Sequence, residues 1–196
     1  SLAPFLLVMV TSFTRIIVVL HFVRSALGTQ TSPPNQVLIG IALFLTLFIM
    51  APVMTQINKD CIQPYDKGKL TQEEALNAGL KPIRKFMFEQ TNRKDIRLFM
   101  EIEKQSNDVS IEKEDEIPTL VLIPAFMISE LRIAFIIGFL IYLPFIVIDM
   151  VVASTLMSMG MMMLPPTTIS MPFKILLFVL ADGWNLVIGQ LVKTFY

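Results

Sequence analysis

Apolar residues in this chain come in long runs, not in alternation. Between Leu2 and Leu20 the one charge is Arg15, and Val37 to Met54 carries none in 18 residues. Ile133 to Ile148 carries none in 16, Met150 to Pro172 none in 23, and Ile175 to Val192 only Asp182. A helix needs about 20 mostly apolar residues to cross a bilayer's hydrocarbon core, and backbone groups inside it must bond internally. The runs therefore predict four or five membrane-type helices. Gly28 to Asn35, reading Gly-Thr-Gln-Thr-Ser-Pro-Pro-Asn, predicts a turn between the first two. Pro165-Pro166 predicts the end of the helix before it, and Pro144 predicts a kink or a tight break.

The segment between these blocks has a different pattern. Thr71-Gln-Glu-Glu74 is a capping box and predicts a helix start. Gly79 and Pro82 predict its end, and Ile83, Phe86, Met87 and Gln90 continue at helical spacing. Asn92 is predicted to cap a third helix with Ile96, Phe99 and Met100 on one face. The run Glu112-Lys-Glu-Asp-Glu116 reads as a solvated loop. The predicted fold is all-α. An apolar helical hairpin (residues 1–57), a polar helical subdomain (58–117) and a second set of apolar helices with a methionine loop (118–196) follow one another.

Composition sharpens this division. Of the 196 residues, 54% are hydrophobic and 16% charged, and the mean hydropathy is +0.66. A soluble domain carries about 25% charged residues. The deficit excludes a disordered protein, a basic nucleic-acid-binding module and an ordinary cytosolic enzyme. Sixteen basic and sixteen acidic residues cancel, but 24 of these 32 lie between Asn58 and Ile117. The other eight are Arg15, Arg24, Glu130, Arg132, Asp149, Lys174, Asp182 and Lys193. The middle holds 11 basic and 13 acidic residues, a balance that fits a non-cytoplasmic location by the positive-inside rule. Cys61 alone permits no intrachain disulfide.

Charges within apolar helices are costly and call for a role. Glu130, Asp149 and Asp182 nearly balance Arg132, Lys174 and Lys193, which suggests pairing. Glu130 with Lys174 is the expected pair, within one subunit or between two. Such pairs fix packing geometry or, on a sharper reading, form an ion or proton path. The contexts Ile148-Asp149 and Ala181-Asp182-Gly183 do not fit an intramembrane aspartyl protease. His21, the one histidine, has no ligand-type residue at metal-binding spacing, and no phosphate loop or nucleophile motif is present. The residues point to no enzyme, cofactor or metal.

Met157, Met159, Met161, Met162 and Met163 place five methionines in seven positions. They could form a lipid-facing or core helix end, or a copper-binding thioether cluster, although further Met, Cys or His clusters are missing. Alternatively, repeated around a symmetric ring, they would make a soft constriction that yields to a passing polypeptide.

An ordered set of motifs spans nearly the whole chain. It contains Thr11-Ser-Phe-Thr-Arg15-Ile, Arg24-Ser-Ala-Leu-Gly-Thr-Gln30 and Pro33-Pro-Asn-Gln-Val-Leu38. Pro124-Ala-Phe-x-Ile-Ser-Glu130-Leu, Pro144-Phe-Ile-Val-Ile-Asp149, Met159-Gly-Met-Met-Met163, Pro172-Phe-Lys174 and Asp182-Gly-Trp184 follow. This set resembles the FliP family of flagellar type III export-gate proteins, and Gln72-Glu-Glu-Ala-Leu76 resembles the flagellar branch more than the virulence branch. Ile136 departs from the family pattern, which has a polar or charged residue there.

The resemblance implies a homopentameric ring assembled with FliQ and FliR, wrapped by FlhB and helped by a FliO-like factor. It implies a pore for unfolded export substrates in the bacterial inner membrane and flagellar basal body. Much of the complex, including the polar middle, would lie on the periplasmic side. Met161, Met162 and Met163 would line a gasket that seals the closed pore. Family members begin with a cleaved signal peptide and a longer first apolar segment, so part of the N-terminus is expected to be missing from this chain. A small-molecule or ion transporter using intramembrane charges and a non-conducting assembly scaffold are the alternatives. The inverted repeats usual in transporters are not evident.

Overall fold

The computed structural model describes residues 8–103, 117–161 and 164–196. Among them there is no strand, and the all-α expectation holds. The helices are α1 (Phe13–Ala26), α2 (Asn35–Ile57), α3 (Gln63–Asp66), α4 (Gln72–Gln90), α5 (Arg93–Ile102), α6 (Thr119–Ser158), α7 (Pro166–Leu180) and α8 (Gly183–Lys193). A π-helical turn, Asn58–Ile62, joins α2 to α3, so one continuous helical stretch runs from Asn35 to Asp66. It passes from the apolar block into the polar segment without a break.

Two helical stretches, Asn35–Asp66 and Thr119–Ser158, are long and apolar enough to cross a membrane. A third is possible if α7 and α8, bent by 65° at Asp182, count as one span. Among the described residues these are the stretches that meet the expectation of four or five membrane-length helices; α1 has 14 residues, and the run over α7 and α8 breaks. Only 11% of the most apolar window of α6 is buried within the chain. Phe135, Ile136, Phe139, Leu140, Val147 and Met150 are among its exposed apolar residues.

Contacts group the chain differently from its charge pattern. One compact unit combines the chain up to Arg15 with Phe44–Ile133, and the other combines Ile16–Leu43 with Ala134–Tyr196. In the first unit Phe126, Leu122, Met87 and Ile96 are fully or almost fully buried, and Phe86 meets Phe126 edge-on at 6.0 Å. In the second, Val23, Ala26, Leu27, Phe145 and Phe178 form a core, closed by Ile141, Tyr142, Trp184 and Val187. There α1 approaches α6 closely at Gly138, where a Cβ would lie 2.4 Å from the Phe22 ring. Gly183 is fixed in the same way, 2.4 Å from the Phe178 ring.

The turn over Gly28 to Asn35 forms as expected, with Gly28 at φ +77°. Arg24 holds it by donating to Asn35 Oδ1 at 2.6 Å and to the Pro33 carbonyl at 3.4 Å. The capping box also forms: Glu74 N donates to Thr71 Oγ1, and Thr71 N donates to Glu74 Oε2 at 2.8 Å. Asn92 caps α5 by accepting from Lys94 N at 3.0 Å, and Ile96 and Met100 turn inward with Phe99 half-buried.

Two proline and glycine expectations fail, and a third loses its break alternative. Helix α4 continues through Gly79 and Pro82 to Gln90. Pro82 is buried, and a Cβ on Gly79 would lie 3.3 Å from Cys61 Sγ, so packing overrides the weak local preference. Helix α6 runs unbroken past Pro144. It ends at Ser158 by a glycine turn, and Pro165-Pro166 instead open α7, with Pro166 at the first helical position, where no N–H is needed. The run Glu112–Glu116 lies outside the described residues.

The cap gives a test. Hydrogen bonds from the Thr71 backbone and side chain hold the Glu74 carboxyl below its ordinary range. Their contribution is therefore present above the ordinary glutamate value and is lost as pH falls through the lowered folded value. Thr71→Ala should reduce protection of the first-turn amides of α4 about fivefold at neutral pH. Hydrogen exchange, corrected for intrinsic rates, should also show wild-type protection falling at acid pH and a weaker dependence in Glu74→Gln.

Candidate functional site

Sites in this chain are built on α6, from which charged side chains leave at three levels. At the first, Arg15 and Glu130 are both fully buried. Arg15 Nε donates to Glu130 Oε2 at 2.9 Å, and Nη2 donates to Glu130 Oε1. The same Nη2 donates to Gln90 Oε1 at 3.0 Å. A guanidinium has donors only, which fixes the Gln90 amide with its oxygen inward. The planar fork matches a carboxylate's two oxygens, and such charge-assisted bonds offset desolvation. This pair replaces the expected Glu130–Lys174 pair. Arg15 was the unassigned charge of the first apolar run, and its position inside that run was the available signal.

At the second level Arg132 Nη2 donates to Asp95 Oδ1 at 2.5 Å. Ser129 Oγ donates to Asp95 Oδ2 at 2.6 Å and accepts from Asn92 N at 2.9 Å. Asp95 is 2% exposed. The start of α5 is thereby tied to α6. Asp95 and Ser129 escaped the sequence reading because a first-turn Asp is a common solvated residue and a Ser in an apolar run has no distinctive spacing.

At the third level Lys174 Nζ donates to Asp149 Oδ2 at 2.6 Å, and Ser170 Oγ donates to Asp149 Oδ1. Lys174 and Ser170 are one helical turn apart, so α7 grips one carboxylate with two successive rungs. Lys174 is 2% exposed. Asp182 stands apart from these pairs. It is exposed at the break before α8, adopts the left-handed conformation at φ +50°, and accepts from Asn185 Nδ2 at 3.0 Å.

The Asp149 clamp holds the two legs of the methionine turn. Gly160, at φ +72°, lets its own N–H bond to the Met157 carbonyl and the Met161 N–H to the Leu156 carbonyl, at 3.1 and 3.0 Å. This paired arrangement is the Schellman stop. A side chain at Gly160 would strain the left-handed backbone. Met157, Met159 and Met161 all remain exposed. Met162 and Met163 lie outside the described residues. Among the described residues no group of three His, Cys, Asp or Glu side chains is placed to hold a metal ion.

The chain matches the model of the FliP family over residues 1–191. It is 54% identical to a flagellar biosynthetic protein FliP of Bacillus subtilis, covering all of this chain and 87% of that relative. It is 49% identical to the protein so named in Pectobacterium carotovorum, over 98% of this chain and 74% of the relative. The namesake in Aquifex aeolicus is 49% identical, with 100% and 81% covered.

Removing one partner of the buried pair leaves the other charge uncompensated. Glu130→Leu or Arg15→Met alone should destabilise the protein by about 3–5 kcal/mol, and the double variant should recover most of the loss. Thermal unfolding of detergent-purified protein measures it. At the third level, Asp149→Lys and Lys174→Asp should each reduce folded yield, and the combined swap should restore much of it.

Proposed function

The chain belongs to the FliP family, and on that basis we propose that it serves flagellar biosynthesis as a pore-forming core subunit of the protein export gate. In this reading copies close into a homopentameric ring with FliQ and FliR, FlhB wraps the entrance, and a FliO-like factor assists assembly. Unfolded export substrates thread the central channel. The complex sits in the inner membrane and basal body, with much of it, including residues 58–117, on the periplasmic side.

The methionine turn carries this reading. A long helix is stopped by Gly160, its legs are clamped through Asp149, and exposed thioethers are left at the tip. Thioether side chains are flexible and polarisable and fill irregular gaps. Around a ring, Met161 with Met162 and Met163 would form a gasket that excludes water and ions yet deforms around a passing chain. A stiff hairpin below and soft side chains at the tip suit that task. The uncovered apolar surface of α6 suits burial against lipid and neighbouring subunits. A transporter using intramembrane charges is less well supported, because Asp149 is already held by Lys174 and Ser170. A non-conducting scaffold would not call for exposed methionines at the end of a clamped hairpin.

Replacing Met161, Met162 and Met163 together by Ala should raise ion leakage through the assembled gate in cells while export of flagellar proteins continues or changes rate. Conductance and secreted protein are measured side by side. Unchanged leakage and unchanged export in an assembled complex would overturn the gasket.

A further inference from the structure

The turn between α1 and α2 is held by one arginine, and that arginine faces the chain's one histidine. Arg24 Nη2 lies 2.9 Å from His21 Nδ1, one helical turn back along α1. A guanidinium carries donors only, so Nδ1 accepts and carries no proton. The hydrogen bond therefore requires a neutral imidazole with its proton on Nε2. Nη1 of the same guanidinium reaches Asn35 Oδ1 and the Pro33 carbonyl, at the entry into α2. The Thr29 hydroxyl is shared between the Arg24 and Ser32 carbonyls, so backbone and side chain of Arg24 both anchor the turn.

Protonation of His21 reverses the sign of this contact. Nδ1 would become a donor, and two cations would stand at hydrogen-bonding distance. Among the described residues no carboxylate forms an ion pair with His21 or Arg24. Helix α2 carries no charge from Asn35 to Ile57, and α6 carries none from Ile133 to Ile148. From α7, Lys174 comes up to the turn, where a Cβ on Gly28 would lie 4.0 Å from its Nζ. That group is itself a cation. The acids of the same compact unit are engaged elsewhere, Asp149 by Lys174 and Ser170 and Asp182 by Asn185, and its remaining cation, Lys193, ends α8. Burial and the Arg24 charge hold the imidazole below the ordinary histidine value. The stability that His21 lends the turn is therefore present above that ordinary value and is lost as pH falls through the lowered one.

We propose that His21 and Arg24 form a pH-sensitive latch on the α1–α2 turn. Protonation of His21 displaces the Arg24 guanidinium, releases Asn35 and Pro33, and loosens the entry into α2. The latch needs only the fold of this turn, so its failure would leave the gasket reading intact.

Full-length protein in detergent tests it with two measurements. Because the chain has one histidine, isotope-labelled imidazole resonances report its tautomer and its titration directly. Hydrogen exchange, corrected for intrinsic rates, reports the Val37 and Leu38 amides, which donate to the Pro34 carbonyl at 3.0 and 3.2 Å. The neutral imidazole should carry its proton on Nε2. Protection of the two amides should fall about tenfold on acidification, with the midpoint of the imidazole titration. His21→Asn keeps an acceptor and removes the titration, so protection should stay high across that range. Arg24→Gln should give low protection on both sides of it. A neutral imidazole protonated on Nδ1, or protection that does not follow the titration, would overturn the proposal. So would a loss shared equally by core amides of α6 such as Phe126, or an unchanged pH dependence in folded His21→Asn protein.

Discussion

The Arg15 guanidinium and the Glu130 carboxylate, both removed from solvent, constrain more of this structure than any other contact. Isolated, either charge would be intolerable at such a depth. Together, and only in fork geometry, they are tolerated, with the Gln90 amide oxygen accepting a further hydrogen bond. That requirement joins α1, α4 and α6 at a single point. Apolar packing alone does not discriminate so sharply, since Leu and Ile side chains slide past one another at small cost. A buried ion pair adds little net stability compared with a well-fitted apolar pair, but it penalises every register except one. The Asp95–Arg132 and Asp149–Lys174 pairs repeat the device along α6, so the longest helix carries three acid–base fixings spaced over its length.

The Asp149 fixing bears on the proposed gasket. In the proposed gasket, soft methionine side chains would seal only if their base did not move. The base consists of the end of α6 and the start of α7, and Asp149 is bonded to two rungs of α7. In that reading, rigidity below and compliance above come from different residue types: charged and hydroxyl groups set the legs, and thioethers would supply the tip. Gly160 ends the helix through its left-handed backbone, with exposed Met157 and Met159 just before it and Met161 just after.

Much of this was legible in the sequence, and the failures have physical causes. Hydrophobic runs revealed an all-helical chain, and local hydrogen-bonding motifs revealed the starts of α4 and α5, because caps act over three or four residues. The turn at Gly28–Asn35 was legible for the same reason. The helix end at Gly79 and Pro82 was misread, since tertiary packing carries a helix past residues that would stop it in isolation. Acidic and basic residues in apolar surroundings announced that partners must exist, but not which ones. Pairing depends on which helices touch, and Arg15 and Glu130 stand 115 residues apart. The glutamate's true partner lay in the first block, whereas the balance of charges in the second block suggested Lys174.

That separation also sets a schedule for biosynthesis. Chains emerge from the ribosome at about 5–20 residues per second, so Arg15 precedes Glu130 by roughly 6–23 s. Throughout that interval the first apolar helix carries a cation whose counterion has not yet been made. Burying that helix before Glu130 exists would leave the cation unpaired, at a cost of about 3–5 kcal/mol. Final packing of α1 is thus timed by the synthesis of α6, and a nascent chain stalled before residue 130 would leave Arg15 without its counterion.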